Sequence, residues 1–367
     1  NIIRYEYNYN GNLTKITNPD GTTKKYTYDA NQNKTSETDE NNNTTYFEYD
    51  ALDQLIKVTN ALGGTTTYTY DSVGNRTSET DENGKTLSFS YDELNRLIST
   101  SDPNGNTTQH SYEGNSGSAT FNDSKFTPTH TTNALGVESW NIFDGRYDLL
   151  YREYFDHTSD AMTSWDAVGN KRTETNRAAR VTNYEYDNLN RIIKVIDKMG
   201  FQTSNTYDAL GNLTNVIDAN GYVTIYTYDA LNRLIQVQDS VGSITSYEYD
   251  SVNNRTKITD ANGNASTFEY DNRNRLIKTT DAGGKITSFT YDGVGNILTK
   301  TLPDGIVIEY EYDVLNRLTK IKIPEEDNIK FTYDSVGNRI TMQDSLGTTT
   351  YSYKFIQGGY SVKTITD

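Results

Sequence analysis

Oxygen-rich clusters are the first candidates for chemistry in this chain. Asp260-x-Asn262-x-Asn264, with Asp271 eleven residues after Asp260, spaces its oxygens much as a calcium loop does. Asp39-x-Asn41-x-Asn43 with Asp50 does the same. A helix–loop–helix calcium site needs Gly at its sixth position and a bidentate Glu at its twelfth. Neither is present, so turn formation accounts for these residues and no metal is expected. The three histidines, His110, His130 and His157, lack the His-Glu-x-x-His spacing of a zinc protease. There is no Gly-x-Ser-x-Gly elbow and no Gly-rich loop ahead of Lys and Ser/Thr. Acidic pairs are numerous, but they return at a constant phase, as structural positions do. No catalytic residue, cofactor or metal ligand is therefore assigned, and no ligand-binding residue is singled out.

That constant phase is the dominant feature of the sequence. An aromatic residue followed by Asp or a similar turn former recurs every 21 residues, at Tyr7, Tyr28, Tyr49, Tyr70, Tyr91 and Tyr112. The spacing resumes at Tyr186 and continues through Tyr207, Tyr228, Tyr249, Tyr270, Tyr291, Tyr312 and Tyr333. A fixed period of this kind marks a repeat architecture whose units bury apolar surface against their neighbours.

One repeat reads as a hairpin. Tyr247 and Tyr249 alternate with Glu248, which puts both rings on one face of a strand and the carboxylate on the other. Asp250 to Asn254 has the composition of a tight turn, and Arg255 to Thr259 is rich in β-branched residues. Asp260-Ala261-Asn262-Gly263 closes the repeat with an Asn-Gly hairpin signal. Gly holds one phase at positions such as Gly21, Gly63, Gly84, Gly105, Gly221 and Gly263, with Asn42 and Glu326 as exceptions. A positive φ there explains the choice. A second aromatic row, including Tyr26, Phe47, Tyr68, Phe89, Tyr247 and Phe268, is expected to stack ring upon ring along the sheet. Repeats alternate between Leu-Asn-Arg-Leu turns (Leu231 to Leu234) and Val-Gly-Asn turns (Val73 to Asn75, followed by Arg76). Arg falls one residue earlier in the first class, which predicts the opposite face of the sheet. Either neighbouring repeats occupy different environments or the gene grew by duplicating pairs.

Composition agrees with a coreless array. Of 367 residues, 34% are hydrophobic, and 30 Tyr supply much of that share. Aromatics at 12% and at fixed spacing argue against disorder. A net charge of −16 without a basic stripe disfavours nucleic acid and anionic membranes as partners. No run approaches a membrane-spanning length. Zero Cys excludes disulfides and thiolate metal sites. The chain starts in mid-repeat and reads as part of something longer.

The motif Tyr-Asp-x-Leu-Asn-Arg-Leu, with its partner Asp-Ala-Asn-Gly, resembles the RHS/YD-repeat family over nearly the whole chain. The resemblance implies hairpins wound into a spiral sheet that forms a hollow shell. In bacterial members it implies a C-terminal toxic domain enclosed until delivery, and a secreted or cell-surface location. Related repeats occur in insecticidal toxin complexes, wall-associated proteins and teneurins. The family's core segment, with its Asp-Pro-x-Gly-Leu signature, is not found here, and Asp102-Pro103-Asn104-Gly105 is an ordinary turn.

The expected fold is thus all-β: one array over 1–367 of antiparallel hairpins, about 21 residues each, in a curved or spiral single-layer sheet that is part of a hollow shell. About 34 strands at roughly 4.8 Å each would give a sheet on the order of 160 Å wide. A parallel β-helix is the rival, but paired Tyr rows are bulky for its narrow lumen. The period breaks between 113 and 164, where Tyr112 and Phe143 stand 31 residues apart. Trp140, Pro128 and His157 fall in this insertion-bearing stretch, with Trp165 just beyond it. Its aromatics suit either a small satellite cluster or a site for a glycan or a partner. Two functions follow: a non-catalytic wall around a C-terminal cargo domain of the parent chain, or a module that binds carbohydrate or a cell surface through its aromatic ladders.

Overall fold

A computed structural model describes residues 2–112, 130–133, 135–143, 149–154, 162–176, 180–356 and 359–366. Pro128 and His157 lie outside them, as does much of the stretch where the period breaks. Among the described residues the strands form a 14-stranded sheet, Arg4–Tyr7 to Leu149–Tyr154, and a 20-stranded sheet, Met162–Trp165 to Gly359–Thr366. Strand order equals chain order in both, neither sheet closes on itself, and no helix occurs among the described residues. All recorded pairings are antiparallel, which excludes the parallel-coil alternative. Contacts group into two compact bodies. The first holds Asn1–Ser90, Thr100–Gly105 and Ser266–Asp367; the second holds Tyr91–Ser99 and Asn106–Ala265.

Each repeat is a six-residue and a five-residue strand, for instance Ile244–Tyr249 and Arg255–Thr259. Ser246, Tyr247 and Glu248 pair with Thr259, Ile258 and Lys257, and then Tyr249 pairs with Arg255. Thr256 is therefore an extra residue, a β-bulge beside the Tyr-Asp turn. The same shift recurs at Tyr28, Tyr70, Tyr186 and Tyr291. A bulge bends its strand and sharpens the twist, so curvature is built in once per repeat.

Both turns of a repeat are three-residue loops. In the loop after Thr259, Gly263 N donates to Asp260 O at 3.0 Å and Asp260 N to Asn264 O at 2.9 Å. Gly263 has φ +83, whereas Asn262 is not left-handed. This is a type I turn followed by a left-handed residue. The second turn repeats the geometry with Asn253 at φ 73. Glu326, placed on the glycine phase by counting, is not the left-handed residue of its turn. Glu325 is, at φ 64. Pro324 at the preceding position and the Glu326 N to Ile323 O bond make that turn type II, which demands positive φ one residue earlier.

Little is enclosed. Among the described residues the most covered side chains are Thr108 (3% exposed) and Ser36, Asp102 and Tyr112 (8% each). Half-buried and exposed residues alternate along strands such as Thr65–Tyr70. One face carries rings. The other carries cross-strand pairs such as Glu248–Lys257 at 2.8 Å, Glu48–Lys57 at 2.8 Å and Thr69–Ser78 at 2.6 Å.

Candidate functional site at the turn edges

The turn aspartates that could have ligated calcium are saturated by their own loops. Asp260 Oδ1 accepts from Asn262 N at 2.9 Å and Asn264 N at 2.8 Å, and Oδ2 accepts from Asn264 Nδ2 at 3.0 Å. Asp39 makes the equivalent bonds with Asn41 and Asn43. Hydrogen bonds from the Asn264 side chain and backbone hold the Asp260 carboxyl below its ordinary value. Asn60 does the same work in a neighbouring turn, taking Leu62 N and Gly64 N at 2.9 Å. A neutral amide that substitutes for the carboxylate argues for a turn cap rather than a metal ligand.

Successive turns are stitched along the edge by two alternating devices. In Leu-Asn-Arg turns, Arg233 Nε donates to Asp229 Oδ2 at 2.7 Å, and Nη1 reaches the Asp250 carbonyl of the next turn at 2.8 Å. Arg191, Arg275 and Arg317 reach Asp208, Asp292 and Asp334 in the same way. In Val-Gly-Asn and related turns the stitch is an amide: Asn212 Nδ2 donates to Asn232 Oδ1 at 3.1 Å, and Asn296 to Asn316 at 2.9 Å. Neighbouring repeats therefore do occupy different environments.

The two arginine classes do not part to opposite faces. Arg233 lies 4.9 Å from the Tyr249 ring centroid and Arg255 lies 5.7 Å from Tyr247, and these rings share a face. Arg233 belongs to the loop, so strand parity does not govern it. Arg255 pairs with Tyr249 across the bulge and so keeps the ring side. The ring-on-ring ladder is also corrected. Equivalent rings in consecutive repeats are two strands apart, about 9.6 Å, beyond the reach of ring contact. In some repeats a cation from the intervening strand fills the gap, and in others Leu or Ile holds that position, as Leu55 and Leu234 do. Lys34 lies 5.9 Å from Tyr26 and 4.6 Å from Phe47, and Arg76 lies 5.5 Å from Tyr68 and 5.2 Å from Phe89.

The anchor tyrosines use their hydroxyls. Tyr249 donates to Leu234 O at 2.8 Å, and Tyr28, Tyr70, Tyr207, Tyr291 and Tyr333 bond the carbonyl fifteen residues earlier in the same way. Each acceptor sits at the preceding bulge, where the ladder is interrupted. Burial pushes the Tyr291 and Tyr333 hydroxyls up, which keeps them protonated donors.

Within the first compact body the chain meets itself 251–253 residues further on. Asn41 Nδ2 donates to Asp292 Oδ2 at 2.9 Å, Asn83 Nδ2 to Asp334 Oδ2 at 3.1 Å, and Asn272 Nδ2 to Pro19 O at 3.0 Å. These separations of 251–253 residues set Tyr-Asp turns against Asp-x-Asn-Gly turns.

In the second body, Glu93, Arg96, His110 and Tyr112 line an open hollow of about 440 Å3. Burial lowers His110, and Arg96 is committed to Asp92 at 2.6 Å and to the Tyr112 ring at 4.5 Å. His130 is not brought to that hollow; it stacks on Trp140 at 5.0 Å. The structure thus occupies one face of the tryptophan proposed as a glycan platform.

A coreless antiparallel array of capped, stitched hairpins is a structural repeat protein. Two family models match it: Teneurin YD-shell over residues 172–362, more than half of the chain, and RHS Repeat over 7–44, 49–86 and 71–107. The chain belongs to the RHS/YD-repeat shell family. A search of curated proteins found no match. Among solved structures it is similar to a crystal structure of TcdB2-TccC3-Cdc42, at 17% identity and a TM-score of 0.75 over 95% of this chain. It is also similar to the Tc holotoxin pore of Photorhabdus luminescens with a mutated TccC3, at 17% identity and a TM-score of 0.74 over 95% of this chain. It spans 22% of the length of each. At this identity the likeness concerns the fold. No helix among the described residues is long and apolar enough to cross a membrane, which leaves membrane-crossing strands unaddressed.

Proposed function

We propose that this chain is a non-catalytic wall segment of an RHS-type shell. It forms one continuous array over residues 1–367, and the shell encloses a C-terminal toxin or effector domain of a longer parent protein that is secreted or displayed at the cell surface. The observation that carries this reading is a sheet held by turn stitches, tyrosine hydroxyls and ring–cation contacts, with almost nothing enclosed between layers. Such a sheet has two solvated faces, and a polar wall offers an enclosed, loosely folded guest little to adhere to. Several ring faces, such as those of Phe47, Phe89, Tyr249 and Tyr333, are occupied by guanidinium or ammonium groups of the array itself, which weakens the case for a continuous sugar platform. Limited proteolysis of the parent protein tests the proposal. Its C-terminal domain should be cleaved far more slowly within the intact parent than when expressed alone, and equal rates would sink the reading.

A further inference from the structure

Near-identical repeats pose a register problem. Their turn edges present the same backbone every 21 residues, so a slip of one repeat would retain most generic contacts between stacked turns. Two residues of the first compact body break that degeneracy. Arg273 holds the third position of its turn, where sister turns carry Leu52 and Val73, which are 73% and 68% exposed. Its guanidinium is inserted among Asp20 at 3.2 Å, Thr22 Oγ1 at 3.3 Å, Glu40 at 3.6 Å and the Gly293 carbonyl. Among the facing turns, Asp20 is the carboxylate at a position otherwise filled by Asn41, Leu62, Asn83 and Asn104.

Gly293 supplies the steric half. It holds the second position of its turn, where sister turns have Ala51, Ser72, Asn272, Val314 and Ser335. A Cβ there would lie 2.8 Å from Glu40 O and 2.9 Å from Asn41 Oδ1. The first partner is backbone and cannot swing aside. A slip of one repeat in either direction would move Arg273 away from Asp20 and Gly293 away from Glu40. The close fit is particular to this pair, since Asn272 and Ser335 bring side chains to the equivalent carbonyls Pro19 O and Glu82 O.

We propose that Arg273 and Gly293 are a register pin, a self-recognition pair that fixes which turns of the 20-stranded sheet meet which turns of the 14-stranded sheet. The proposal holds whether or not a cargo is enclosed. The absence of cysteine allows a direct test by engineered disulfides. Ser335→Cys with Asn83→Cys reports the observed register, because these two side chains touch. Ser335→Cys with Leu62→Cys, or with Asn104→Cys, can close only after a slip of one repeat. In the otherwise unaltered chain, mild oxidation should link the first pair and neither of the others.

Adding Arg273→Leu and Gly293→Val should lower the first link and raise a slipped one by roughly tenfold, as expected on losing charge-assisted hydrogen bonds. Arg273→Leu alone installs a side chain that sister turns already carry, so the hairpin itself should survive, and Arg273→Lys should fall between. An unchanged yield of the first link in the double variant would overturn the proposal. So would loss of that link with neither slipped link gained, since the pair would then be a clamp without register specificity.

Discussion

At most bulges the strand after the Tyr-Asp turn loses a ladder contact, and the next repeat's anchor tyrosine supplies a hydroxyl to the carbonyl left there. The ring needs a half-buried face, and the hydroxyl needs a fixed acceptor 15 residues back, as in Tyr249 to Leu234. Tyr249→Phe keeps the ring under Arg233 and removes only the hydrogen bond. It should cost about 1 kcal/mol, read as faster amide exchange in the strand Leu234–Gln238 and its partners. Exchange rates indistinguishable from wild type would show that water serves that carbonyl equally well. The ring periodicity was visible in the sequence. The hydroxyl's partner was not, because the acceptor is a backbone atom exposed only by the bulge.

At the level of the hairpin, the loop is set by one left-handed residue and one side-chain cap. Gly263 has φ +83, and a Cβ there would meet nothing within 4 Å. The penalty for a larger residue is therefore conformational and not a clash. Gly263→Val should cost about 1–2 kcal/mol or more, loosening the adjoining hairpins, whereas Gly263→Asn should be tolerated, as Asn42 at φ 67 fills the equivalent place. Protease nicking near residue 263 measures this, and equal resistance of the Val and Asn variants would refute it. Composition located both turns. It left the loop length open, since Asn-Gly serves two-residue and three-residue hairpins alike.

For the whole molecule, the contact between residues 253 apart in the chain depends on carboxylates. Burial pushes Asp20 up, but hydrogen bonds from Thr22 and Arg273 outweigh it and leave its carboxyl below the ordinary value of 3.8. A depressed carboxyl contributes stability that is present above its unfolded value and lost as pH falls through the folded one. The stabilisation that Arg273 confers over Arg273→Leu should thus be constant from neutral pH down to about pH 5 and fall only below about pH 4, to the part supplied by Thr22 and the Gly293 carbonyl. Thermal denaturation of the two proteins across that range measures it. A difference that disappears near pH 6 would point to another titrating group.

The hairpin, its 21-residue length and the unlike chemistry of its faces could be read from Tyr247, Glu248, Tyr249 and the Asp-Gly turns, because they rest on local conformational preferences that repeat. Bulge placement, the cation between successive rings and the meeting of Arg273 with Asp20 could not. The first two depend on register between strands. The third joins residues 253 apart in the chain, and no single stretch of sequence encodes such a meeting.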